Sequence, residues 1–93
     1  LPDLILLDVM LPDMDGYEIC RKLKANPLTA RIPVIFVSAM SSANDERVGF
    51  EAGAVDYIHK PISAVVTLAR IRTHIALAQQ KKFCEENPNL CNR

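Results

Sequence analysis

The sequence predicts an α/β domain in which a parallel sheet carries helices on both faces. Three observations lead there. Leu4-Ile5-Leu6-Leu7 and Pro33-Val34-Ile35-Phe36-Val37 are continuous apolar runs rather than alternating ones, the pattern of strands covered on both sides. Strand-like and helix-like segments alternate along the chain, an order that implies right-handed crossovers onto parallel strands. Each strand also closes on, or runs into, a polar group of useful chemistry: Asp8, Ser38 and Lys60.

The first strand ends abruptly at Asp8, and the turn-rich loop Leu11-Pro12-Asp13-Met14-Asp15-Gly16 follows. Asp13 or Asp15 can cap a helix that starts near Gly16 or Tyr17. In it Tyr17, Cys20 and Leu23 share one face, and Glu18, Arg21, Lys22 and Lys24 lie away from it. Asn26-Pro27 stops this helix. The second strand ends at Ser38, and Ser41, Ser42, Asn44 and Asp45 offer caps for a short helix that closes at Gly53. Ala54-Val55-Asp56-Tyr57-Ile58 is a third, weaker strand running into His59-Lys60-Pro61. A helix from about Ser63 to about Lys82 completes the order, some 30 Å long at ~1.5 Å per residue. Its stripe Leu68, Ile71, Ile75 and Ala78 is expected on the sheet, and His74 is expected on the surface. Residues 1–82 thus form the domain, with 83–93 as a polar tail or the start of a linker.

With 93 residues the chain makes one small domain, and 49% hydrophobic residues suffice for a core. Lys and Arg number 11, as do Asp and Glu. That balance makes no electrostatic case for nucleic acid or a membrane surface. No apolar run approaches a membrane span, and no signal-peptide pattern is present. Cys20, Cys84 and Cys91 lack metal-ligand spacing and read as free thiols of a cytoplasmic protein.

Ligands of open α/β sheets bind beyond the carboxyl ends of the strands, where a carboxylate, a hydroxyl and an ammonium here converge. Singly, each has an ordinary explanation: a cap, a turn residue, a solvated lysine. On three successive strand ends they suit phosphate chemistry. Asp8 can act as a nucleophile and form an aspartyl phosphate. Ser38 can hydrogen-bond a phosphate oxygen, and Lys60 can pair with another. The charge of a phosphoryl group, about −1.5 to −2, calls for a divalent cation beside it.

The stretch from Leu4 to Gly16 resembles the phosphoacceptor strand and loop of response-regulator receiver domains. Pro33 to Ala39 is similar to that family's fourth strand with its hydroxyl residue, here Ser38, and Gly53 to Pro61 to its fifth strand and Lys-Pro corner. The resemblance implies a flavodoxin-like fold, with Asp8 phosphorylated by a sensor histidine kinase or phosphotransfer protein. It implies that Ser38 and Lys60 contact the phosphoryl oxygens. Asp8 and the backbone carbonyl of Met10 would help bind Mg²⁺. Tyr57 would be an aromatic switch that turns inward, and the Lys60-Pro61 bond would be cis.

The chain starts at what would be the family's third strand, so only the C-terminal three β-α units are expected. The paired acids that hold the family's metal would then be missing, as would an output domain. Asp13 and Asp15 lie in a loop and are not obvious substitutes. An incomplete Mg²⁺ site, poor phosphorylation and self-association through an edge strand are the expectations. Met10 and Met40 either pack on the rim or slow the loss of phosphate. The continuation of the last helix would act as a dimerising linker. A competing reading is an Asp-nucleophile phosphohydrolase of the haloacid-dehalogenase type. Such enzymes carry a general acid two positions after the nucleophile, where this chain has Met10. A non-phosphorylated interaction module of receiver shape is the other alternative.

Overall fold

The apolar runs become adjacent strands. A computed structural model of the chain describes residues 2–9, 15–39, 42–87 and 89. Their elements are β1 (Ile5–Asp8), α1 (Gly16–Ala25), β2 (Val34–Ser38), α2 (Ala43–Glu51), β3 (Asp56–His59) and α3 (Ala64–Glu86). Among the described residues the strands form one parallel sheet in the order β1-β2-β3. β2 is central, and all five of its residues are buried, which is why its sequence is apolar without alternation.

Alternation at period two divides the core between two faces. Val34 and Phe36 point toward α1 and α2, where they join Tyr17, Cys20, Ala52 and Tyr57, with Ile5, Leu7, Leu23 and Val48 packed around them. Ile35, Val37 and Ile58 point the other way, toward Leu4 and Ile71 of α3. Helices therefore cover both faces. β1 lies at an edge, with Leu6 exposed.

The helix starts follow local chemistry. Asp15 accepts a hydrogen bond from the Tyr17 amide at 2.9 Å and so caps α1; Asp13 lies outside the described residues. Ser42 and Asp45 exchange side-chain and backbone hydrogen bonds in a capping box at the start of α2. Gly53 has φ +111° just after that helix, a conformation that favours glycine.

Several expectations need correction. β3 begins at Asp56 rather than Ala54, because Val55 meets β2 through a single lead-in bond to the Val34 carbonyl before the ladder pairs Asp56 with Ile35. α3 continues to Glu86 rather than ending near Lys82. Arg31 grips Glu85 at 2.6 Å and ties this extra turn to the loop after α1. Leu68 is 51% exposed, and Thr67 takes its place against the sheet. The packed face of α3 is thus turned slightly and holds Thr67, Ile71 and His74. His74 is half-buried and reaches Asp56 at 3.1 Å. Lys24 does not simply point to solvent. Its ammonium donates to the carbonyls of Ala30 at 3.1 Å and Ile32 at 2.7 Å. Burial lowers its pKa from the ordinary lysine value.

Cys20 is buried and Cys84 half-buried, both as free thiols; Cys91 lies outside the described residues. Among the described residues no helix is long and apolar enough to cross a membrane.

Candidate functional site

The parallel ladder brings the strand ends to one rim. Asp8 closes β1 and lies in register with Val37, while Ser38 closes β2 opposite His59. Lys60 follows immediately, and its amide donates to the Ser38 carbonyl at 2.9 Å. From there its side chain reaches across the end of β2. Its Nζ donates to Asp8 Oδ2 at 2.8 Å. The Lys60-Pro61 peptide bond is cis. The Asp8 and Lys60 side chains are 36% and 44% exposed, so the pair contributes only about 0–1 kcal/mol to folding. It is open to a ligand from solvent. Ser38, at the end of β2 between them, is buried.

The start of α1 lies close against the end of β1. The Gly16 amide donates to the Val9 carbonyl at 3.0 Å. A Cβ at Gly16 would stand 2.5 Å from the Asp8 carbonyl oxygen and 2.9 Å from Val9 Cα. These are backbone atoms, so they can yield only by moving the strand end itself. Gly16→Ala is expected to cost about 1–3 kcal/mol, at ~4–8 °C in melting temperature per kcal/mol for a domain of this size. Thermal denaturation followed by circular dichroism checks this, and an unchanged midpoint would refute the close approach.

Tyr57 is buried. Its ring lies 6.1 Å from Phe36 and 5.2 Å from His59, centroid to centroid. Its hydroxyl is 3.4 Å from that of Tyr17, which donates to the main-chain carbonyl of Asp45 at 3.1 Å. Burial, and then the hydrogen bond with Tyr57, push the Tyr17 phenol well above the ordinary tyrosine range.

Sequence reasoning placed Tyr17 on the apolar face of its helix but gave it no part in the site. It also passed over His59, whose Nε2 meets Glu46 Oε1 at 2.7 Å, and Asp56, which His74 and Arg70 both approach. His59 carries a usable signal. It stands two residues after Tyr57 on a strand and so shares its face. The other pairings join residues far apart in sequence and have no local signature.

Magnesium takes a near-octahedral set of oxygen ligands. Among the described residues no three His, Cys, Asp or Glu side chains converge on one point. Asp8 brings a carboxylate to the rim, and one of its oxygens is on Lys60. These residues do not by themselves make up a magnesium site. Met10, whose carbonyl was expected to contribute, lies outside the described residues, as does Met40.

The family model described as the response regulator receiver domain matches residues 1–72. The chain belongs to this family. Response regulator PleD of Caulobacter vibrioides is 51% identical over 73 residues, covering 78% of this chain and 16% of PleD. Transcriptional regulatory protein CreB of Escherichia coli is 45% identical over 87 residues, covering 94% of this chain and 36% of CreB. The CheY-like receiver domain of Methanospirillum hungatei superposes with a TM-score of 0.79 at 28% identity, over 87% of this chain and 63% of that domain. This receiver therefore spans less than two thirds of the relatives it matches. Membership gives it the flavodoxin-like α/β fold of the receiver domains of two-component signalling.

Proposed function

We propose that Asp8 is the phosphoacceptor of this receiver, with a histidine kinase or a phosphotransfer protein as the donor. The observation that supports it is the Asp8–Lys60 pair, 2.8 Å apart across the end of β2. A carboxylate oxygen of Asp8 is the nucleophile. As it attacks phosphorus, the P–N bond to the donor histidine breaks and the imidazole leaves with the electron pair. A charge of about −1.5 to −2 then stands beside Lys60, whose ammonium can turn from Asp8 to a phosphoryl oxygen. Ser38, at the end of the central strand, is the hydroxyl that donates to another. Tyr57 is the residue whose position reports occupancy. The route uses the chain's own residues. A magnesium site would need ligands beyond those described.

The role is signalling rather than turnover, and a kinase donor sets it in the cytoplasm. The response belongs to an output domain, as in the transcriptional regulator CreB. Incubating the intact protein with acetyl phosphate and Mg²⁺ tests the reading. One hydroxylamine-labile phosphoryl group on Asp8 is expected. Absence of label there would refute the reading, and continuous release of phosphate over many turnovers would mark a phosphohydrolase instead.

A further inference from the structure

The ring of Tyr57 is enclosed by three elements, and two of its contacts are unusual. The first is a buried row of hydroxyls. A phenol carries one hydrogen. Tyr17 directs its hydrogen at the Asp45 carbonyl, so the hydrogen across the 3.4 Å gap comes from Tyr57. The order is Tyr57 to Tyr17 to the first turn of α2, crossing β3, α1 and α2. Asp45 is also the residue whose carboxylate closes the capping box with Ser42. The carbonyl that receives Tyr17 therefore belongs to a turn held in place from its other side. Burial keeps the Tyr17 phenol protonated and able to donate.

The second contact is Gly49. A Cβ there would lie 3.1 Å from Phe36 Cδ2, 3.1 Å from Tyr57 Cδ2 and 3.3 Å from Tyr57 Cε2. α2 lies over the inward ring at this distance because position 49 has no side chain. Tyr17 meets the same Phe36 ring edge-on, with centroids 5.0 Å apart and planes at 72°. The slot for Tyr57 is thus shaped by Phe36, opened by Gly49 and closed by the Tyr17 hydroxyl.

We infer that Tyr17 and Gly49 are positioning residues that hold Tyr57 inward and join it to the first turn of α2, so that phosphoryl occupancy at Asp8 and the placement of α2 are coupled through the Tyr17 hydroxyl. This rests on the reading of Tyr57 as the residue that reports occupancy. A group that stabilises only the inward ring raises the affinity for the phosphoryl group by the factor through which it shifts the ring's population. One buried neutral hydrogen bond corresponds to a factor of roughly 2 to 10.

The test uses the intact protein with beryllofluoride as the phosphoryl mimic and 3-fluorotyrosine placed at position 57. Beryllofluoride is expected to move the fluorine resonance in the otherwise unaltered protein. Tyr17→Phe, which keeps the ring, is expected to weaken beryllofluoride binding about 2- to 10-fold and to shift the resonance toward that of an outward ring. Gly49→Ala is expected to act in the same direction. In a Tyr57→Phe background, where the donor is gone, Tyr17→Phe is expected to change affinity no further. An equal effect of Tyr17→Phe in both backgrounds, or none in either, would overturn the coupling. If beryllofluoride leaves the fluorine resonance unmoved in the unaltered protein, the switch reading of Tyr57 fails first, and this inference falls with it.

Discussion

Asp8→Asn is expected to abolish phosphorylation by acetyl phosphate altogether, because an amide oxygen offers no carboxylate nucleophile and the acyl phosphate cannot form. The variant should fold. The Asp8 side chain is partly exposed, and the strand hydrogen bonds use its backbone. The pair it makes with Lys60 is worth about 0–1 kcal/mol to the fold, so the melting temperature should fall little. Lys60→Ala is the graded companion. Loss of one charged hydrogen bond to the phosphoryl group, ~1.5–3 kcal/mol, should lower beryllofluoride affinity roughly 10- to 150-fold without eliminating the aspartyl phosphate. Intact mass and a hydroxylamine control read the first variant, and titration reads the second. Undiminished labelling of Asp8→Asn would move the acceptor elsewhere in the chain.

Phe36→Ala should do the most damage to the fold itself. Phe36 is fully buried at the centre of β2, with Tyr17 and Tyr57 both resting on its ring. Truncating a core phenylalanine costs about 3–5 kcal/mol, a large share of the ~5–15 kcal/mol that holds a domain together. At ~4–8 °C per kcal/mol for a domain of this size, the midpoint should fall by tens of degrees or the cooperative transition should vanish. The same cavity would loosen Tyr57, so surviving folded protein should also respond less sharply to beryllofluoride. A loss below about 1 kcal/mol would mean that the core is centred elsewhere.

Several readings came directly from local pattern. The unbroken apolar run of β2 required cover on both faces, and alternating side chains of that strand do point to helices on opposite sides. Asp15, Ser42 and Ser63 each start a helix as short polar side chains do. The corrections at Leu68 and His74 share one cause. Where a helix touches the sheet depends on its rotation in the packed molecule, and periodicity leaves that rotation undetermined by a residue or so. Leu68 was expected inside and is exposed, while Thr67 beside it is buried. Lys24 holds carbonyls of the following loop, six and eight residues on, at spacings that helix periodicity does not signal.

The sequence by itself determined the fold class and the three polar strand ends, because those depend on the order of residues along short segments. It also carried the family resemblance that the receiver match bears out. Only the tertiary structure decided which groups meet. Lys60 and Asp8 are 52 residues apart. They touch because β1 and β3 flank β2 in parallel register, with Lys60 anchored to Ser38 between them. Tyr17 and Tyr57, 40 apart, meet because both pack into the core cluster around Phe36. Contacts of this kind arise from the placement of whole elements, and that placement is a property of the packed core rather than of any single stretch of chain.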